Sequence, residues 1–261
     1  MKTSVYLLFT LALIFSCAHT SEKPVTPSPL ESVDEVIKKE TISFLSKDKL
    51  EITADVYSTG DETNPWILLC HQARWSRGEY KDIAPKLNAL GFNCLATDQR
   101  SGKEINDVQN ETAARARAKG LGTEYLDAAQ DIESAIEWLN ENKKPSKLIM
   151  WGSSYSSTLA FVMGAKYQKE LAAVMSFAPG DYFTIEEKSI ADYASEIKCP
   201  VFITSAKKEE AQWQGIYKAI KSEKSFYLPK TEGRHGASAL WESTEGHEGY
   251  WTAVTEFLKS L

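Results

Sequence analysis

The stretch KLIMWGSSYSSTLA, residues 147–160, decides the fold. Leu148, Ile149, Met150 and Trp151 form a short apolar run with the length and bulk of a buried strand. Gly152 breaks the run, and Leu159, Phe161, Val162 and Ala165 then recur near helical spacing. A strand that turns within a few residues into a helix, with a hydroxyl at the corner, is the G-x-S-x-G arrangement. Counting Gly152 as its first position puts Ser154 at the corner. There the turn pushes one side chain out above the sheet, and the helix points its first N–H groups at the same spot. Ser156 stands where the second glycine is usual, the next smallest polar choice where strand and helix pass closely. Ser153 precedes the corner and is expected to point away from it; Ser156 and Ser157 fall in the first helical turn and should pack or cap. By itself the pentapeptide is equally well a Ser-rich turn capping an ordinary helix.

The flanking sequence extends the pattern. On the N-terminal side, alternation at Leu50, Ile52, Ala54 and Val56, with a turn at 47–49, makes a hairpin. Then come a buried strand at 66–70, a helix at 80–90 stopped by Gly91, a strand at 93–97, and an amphipathic helix at 124–140 capped by Thr123. On the C-terminal side lie strands at 173–177, 201–204 and 225–228, a helix at 210–220 and a last helix at 250–258. Strand–helix alternation of this kind implies an α/β fold, a mostly parallel sheet of about eight strands with helices on both faces.

Composition narrows the classes. The 261 residues suit one sizeable domain, placed at 37–261, and 43% hydrophobic with 25% charged residues is ordinary for a globular chain. With 30 Lys and Arg against 36 Asp and Glu, a net charge of -6 and no long basic run, nucleic-acid binding is set aside. Residues 1–17 read as a signal peptide, Lys2 giving the positive start and 5–15 the apolar stretch, shorter than the ~20 residues of a spanning helix. IFSC resembles a bacterial lipobox, implying lipid attachment at Cys17; Ser16 and Ala18 also suit ordinary cleavage. Residues 18–36, rich in Pro and Ser, read as a tether. The expected location is therefore the bacterial cell envelope, lipid-anchored, or else soluble and secreted or periplasmic. Any contact with a membrane would come only through that anchor. Cys70, Cys94 and Cys199 lack metal-ligand spacing and read as three buried free thiols.

Several further segments carry a family resemblance. LLCHQARWS resembles a His-Gly oxyanion loop after a third strand, with Gln72 in place of Gly. ATDQRSG resembles a D-x-R-G-x-G segment, CPVFITSAKKEE a strand presenting the acid with Glu209 for Asp, and EGRHGAS the segment bearing a histidine. In this order and on these elements, from about residue 42 to the C-terminus, the chain resembles the α/β-hydrolase family. Small uncapped members of that family resemble esterases and dienelactone-hydrolase-like proteins. The resemblance implies an acyl hydrolase with a Ser nucleophile, where dienelactone hydrolase has Cys.

A serine hydroxyl needs a neighbouring base. Of four His, His19 lies in the leader or tether, His71 in the oxyanion loop and His247 in a surface-like turn, leaving His235 as the base. The imidazole needs a carboxylate: Glu209 is chosen, with Glu210 and Asp181 as alternatives. Backbone N–H groups of Tyr155 and of Ala73, or Gln72, should form the oxyanion hole. Arg74, Trp75, Arg77, Tyr155, Tyr182 and Trp241 are expected at the mouth, and 101–121 reads as a solvated charged loop, a short rim helix being the alternative. No cofactor is implied, since G-x-G-x-x-G, P-loop and H-E-x-x-H patterns are missing. The expected partner is a small-molecule acyl substrate. An ester is preferred over an amide; an aminopeptidase-like or acyl-transfer enzyme, and a catalytically silent binding protein, remain as other readings.

Overall fold

The computed structural model describes Met1 and residues 38–261. The expected signal peptide, Cys17 and tether lie outside the described residues. In chain order the strands are β1 (Lys38–Leu45), β2 (Glu51–Ser58), β3 (Trp66–Cys70), β4 (Asn93–Thr97), β5 (Glu104–Ile105), β6 (Val108–Gln109), β7 (Leu148–Ser153), β8 (Leu171–Phe177), β9 (Val201–Thr204) and β10 (Lys224–Tyr227). The helices are α1 (Ile83–Ala89), α2 (Glu111–Ala118), α3 (Ala129–Asn142), α4 (Tyr155–Lys166), α5 (Ile190–Glu196), α6 (Glu210–Ala219) and α7 (His247–Ser260).

Eight strands form one sheet in the order β1-β2-β4-β3-β7-β8-β9-β10, while β5 and β6 make a separate ribbon. β2 pairs antiparallel with both β1 and β4, and every other neighbour is parallel. The inner parallel strands β3, β7, β8 and β9 are mostly apolar because both sheet faces are covered there, whereas the edge strand β10 is exposed and partly polar. On β3, Trp66, Leu68 and Cys70 enter the core under α3, α4, α5 and α6, whereas Ile67 and Leu69 face α1 and α7.

Three expectations shift. The helix expected at 80–90 is a 3₁₀ turn, Arg77–Tyr80, capped by Ser76 and followed by the shorter α1. α3 begins later than expected, and Thr123 does not cap it. The Asp127 carboxylate accepts the N–H of Glu124 (2.8 Å), offering the backbone a local partner that competes with the helix. The charged segment 101–121 contains α2, not a solvated loop. Asn110 caps it through the N–H of Ala113 (2.8 Å), and Thr112, Ala113 and Ala116 are buried, Thr112 Oγ1 accepting the N–H of Thr53 (2.9 Å). Cys70 and Cys94 are buried, while Cys199 is only half-buried; all three thiols are free.

Candidate active site

β7 delivers Ser154 to the C-terminal edge of the sheet. Its φ of 58° and ψ of -122° lie in the left-handed half of backbone space, a strain of roughly 1–3 kcal/mol for a side chain with a Cβ. The strain is held by its N–H, which donates to Phe177 O (2.8 Å), and by the tight passage of α4 beneath it. At Gly152 a Cβ would come within 2.3 Å of Ser156 O and 2.5 Å of Ser157 Cα, so only glycine fits. Ser156 is accommodated because its hydroxyl accepts the N–H of Ser153 (2.8 Å) and reaches Cys70 O (2.8 Å), tying the elbow to β3.

His235 sits in the loop after β10, with Nε2 2.8 Å from Ser154 Oγ and Nδ1 2.8 Å from Glu209 Oε1. An ionised carboxylate only accepts, so Nδ1–H donates to Glu209 and Nε2 faces the serine hydroxyl as acceptor. Glu209 ends a 3₁₀ turn (Lys207–Glu209) just beyond β9 and is buried; its Oε2 accepts the N–H of Ala206 (3.1 Å). Below that turn, Trp213 donates to Ser205 Oγ (2.8 Å) and Tyr250 to Ser205 O (3.0 Å). Glu210 instead opens α6 and Asp181 is exposed; neither contacts His235. Gly236, at φ 71°, is required by close approach, since a Cβ there would lie 2.5 Å from Ser153 Oγ.

The loop after β3 faces the same corner. The N–H of Gln72 donates to Glu79 Oε2 (2.8 Å) and is occupied, whereas the N–H groups of Ala73 and Tyr155 make no hydrogen bond among the described residues. His71 is fully buried. Its Nδ1 meets Gln72 O (2.8 Å), its Nε2 accepts the N–H of Gln99 (3.0 Å), and its own N–H donates to Gln99 Oε1 (3.0 Å). Burial lowers the His71 pKa to about 4, so the ring is neutral and serves as a strut between two loops.

Two residues expected at the mouth are elsewhere. Arg77 is buried, its Nη1 2.6 Å from Asp98 and its Nε 3.1 Å from Asp55. The Tyr155 ring is buried as well, stacked on Tyr125 at 4.8 Å, because the helix that starts at Tyr155 turns it into the core. The rim holds exposed Arg74, Tyr125 and Tyr182, with Trp75 stacked on Trp241 (5.2 Å) and the Arg234 guanidinium over the Trp241 ring (4.8 Å). Burial, then the Glu209 charge, raises the pKa of Tyr182, whose hydroxyl donates to Ala178 O (3.1 Å).

Sequence reasoning missed Glu79 and Asp131. Glu79 fell just outside a helix expected to begin at residue 80. Asp131 carried a usable signal: it lies three residues after Ala128 and next to Ile132, on the apolar side of α3, where a carboxylate requires a partner. Arg100 is that partner, with Nη2 2.7 Å from Asp131 Oδ1 and Nη1 2.7 Å from Asp48 Oδ2.

The sheet order, the elbow and the loops at its C-terminal edge define an α/β-hydrolase. Residues 61–197, just over half of the chain, match the model of the family described as serine aminopeptidase, S33. The chain belongs to that family. Among solved structures it resembles an esterase from Pyrococcus furiosus, with a TM-score of 0.64 at 17% identity over 87% of this chain and 94% of the other. It also resembles dienelactone hydrolase from Anabaena variabilis, with a TM-score of 0.67 at 17% identity over 86% and 98%. A third is an acylaminoacyl peptidase from Pyrococcus horikoshii, with a TM-score of 0.60 at 17% identity over 85% of this chain and 41% of that one. No curated protein sequence matches the chain.

Proposed function

We propose that the protein is a serine hydrolase that cleaves carboxylic esters of small acyl substrates through an acyl-enzyme. The observation that carries this reading is the continuous relay from Ser154 through His235 to Glu209, with both links at 2.8 Å. Ser154 Oγ attacks the ester carbonyl as His235 Nε2 takes its proton, and Glu209 stabilises the resulting imidazolium. The developing oxyanion is received by the N–H groups of Tyr155 and Ala73. Occupation of the Gln72 N–H by Glu79 favours Ala73 over Gln72 in that role. His235 then protonates the leaving alcohol, and water repeats the sequence to release the acid.

Covalent labelling with a fluorophosphonate tests this. The wild-type protein should be labelled at Ser154 and Ser154→Ala should not; an unlabelled, folded wild type would leave the silent binding protein as the better reading. The family description favours a second reading, cleavage of an N-terminal amide. Comparing p-nitrophenyl acyl esters with aminoacyl p-nitroanilides separates the two, and the ester reading expects turnover of the former only. From the leader sequence we also propose a lipid-anchored location at the cell envelope. Palmitate labelling in cells, abolished by Cys17→Ala, would support it, and full-length unlabelled protein in the cytoplasm would refute it.

A further inference from the structure

Glu79 is fully buried, and among the described residues no cationic side chain forms an ion pair with it. Its two oxygens accept from different loops: Oε2 from the N–H of Gln72 (2.8 Å), Oε1 from the Ser153 hydroxyl (2.7 Å). Ser153 Oγ in turn accepts the N–H of Ala237, two residues past His235 (2.8 Å). The Glu79 carbonyl accepts from Trp241 Nε1 (3.0 Å). One carboxyl and one hydroxyl thus join the loop holding Ala73, the end of β7 just before Ser154 and the loop bearing His235. Burying a carboxyl that is hydrogen-bonded but has no ion pair is costly to the fold, which points to a role other than stability.

We propose that Glu79 is a positioning residue: with Ser153 it braces the oxyanion loop, the elbow and the histidine loop, and its negative charge supports the imidazolium formed at His235. The inference rests on the serine-hydrolase reading above. The orientation of the Gln72 peptide fixes where the next N–H, that of Ala73, points.

The groups around Glu79 leave one partner for that charge. From β3 and its loop come Cys70, its thiol pushed up to about 12 by burial, and the neutral His71. Tyr80 on its own turn and Tyr155 on α4 are raised well above the usual phenol range by burial, and both feel the Glu79 charge. Arg77, on the same turn, is paired with Asp55 and Asp98. Arg234 lies over the Trp241 ring. His235 is therefore the neighbour whose charge changes during the reaction. Burial pushes the Glu79 carboxyl up to about 7, opposed by the Ser153 hydroxyl and the Gln72 N–H, so it is ionised in mildly alkaline solution.

The test compares pH profiles of kcat/KM for Glu79→Gln and Ser153→Ala, each checked for folding by circular dichroism. Glu79→Gln keeps the shape and removes the charge. Its plateau should fall roughly 10- to 100-fold, mainly in kcat, and its acid limb should move down by about 0.5 to 1 pH unit, because the wild-type limb includes protonation of Glu79 itself near pH 7, which glutamine cannot undergo. Ser153→Ala breaks the brace and keeps the titrating carboxyl, which loses a hydrogen bond that favoured its charged form, so its plateau should fall while its acid limb does not move down. An unmoved limb in Glu79→Gln, or the same shift in both variants, overturns the proposal. If Glu79→Gln does not fold, Glu79→Asp must lose the plateau and keep the limb, being charged but too short to reach both donors; a wild-type plateau there overturns the brace. Fluorophosphonate labelling of the wild type separates the readings: no labelling defeats the serine-hydrolase reading itself, whereas labelling with unaltered profiles defeats only the role of Glu79.

Discussion

At the corner of the elbow, one strained residue meets one imidazole, and in the proposed mechanism the two act as a unit. Removing Ser154 or His235 should lower kcat by roughly 10⁴ to 10⁶, and the double variant should be hardly worse. Glu209→Gln should lose about 10² to 10⁴, since the imidazole keeps a partner of the right shape without its charge. Glu210→Gln, one residue into α6 and away from the histidine, should change kcat little. Steady-state kinetics on an activated ester checks all five variants. Glu79 adds a stability signature. Its carboxyl is raised from the ordinary 4.5 to about 7 in the folded protein, by burial. The folded state therefore binds a proton that the unfolded state has released, and stability declines as pH rises from about 4.5 to about 7, by roughly 3 kcal/mol. Asp98, raised to about 6 by burial, adds to the same decline. Urea unfolding at pH 5 and pH 8 should show the loss, and Glu79→Gln should shrink it without abolishing it.

The elements are held by two kinds of force of unequal size. α3 buries Ile132, Ala135, Ile136 and Leu139 against the sheet, and each large side chain contributes roughly 1.5–3 kcal/mol. The exposed pair between Lys188, just before α5, and Glu196 at its end is screened by solvent and adds little. Apolar packing thus sets where α3 lies, but the buried Asp131–Arg100 pair sets how it meets the segment after β4. Asp131 Oδ2 accepts the N–H of Arg100 (2.8 Å) besides its guanidinium. Asp131→Ala would leave the buried Arg100 guanidinium with Asp48 as its remaining acid and its N–H without that acceptor, and should cost at most about 3–5 kcal/mol in urea unfolding. Because Gln99 grips His71 from the same segment, that variant should also lower kcat while leaving the labelled serine unchanged.

Across the whole molecule, the site sits where the chain changes direction in the sheet. From β3 the chain goes outward to β4 on one side and later returns to β7 on the other, so the loops after β3 and β7 diverge and leave a crevice. In open α/β sheets ligands bind at that switch point, beyond the carboxyl ends of the strands. Here Cys70 pairs with Gly152, which puts Ala73 and Ser154 a few residues past neighbouring strand ends. β9 and the loop after β10 supply Glu209 and His235 from farther along the same edge. A chain of residues 38–261 should therefore unfold in one cooperative step and hydrolyse a soluble ester at the rate of the full-length protein. Two separate transitions by calorimetry, or loss of activity on truncation, would contradict this.

Local chemistry was sufficient for much of this protein. The apolar runs at 66–70, 93–97 and 201–204 became strands with those bounds, because a run buried on both faces has no other stable use. The turn at Gly152 was likewise legible, since backbone geometry at a strand–helix corner admits few residue types, and the family resemblance marked Ser154, Glu209 and His235 in that order while leaving Glu210 and Asp181 open. Tertiary structure alone decided which polar residues would be buried and against what. The choice of Glu209 as the neighbour of His235 over Glu210, the turning of Arg77 and Tyr155 away from the mouth, and the joining of Glu79 to Ser153 all depend on contacts between segments far apart in the chain. A carboxylate carries no local mark of the partner that will meet it after folding, and only the closed sheet brings the two together.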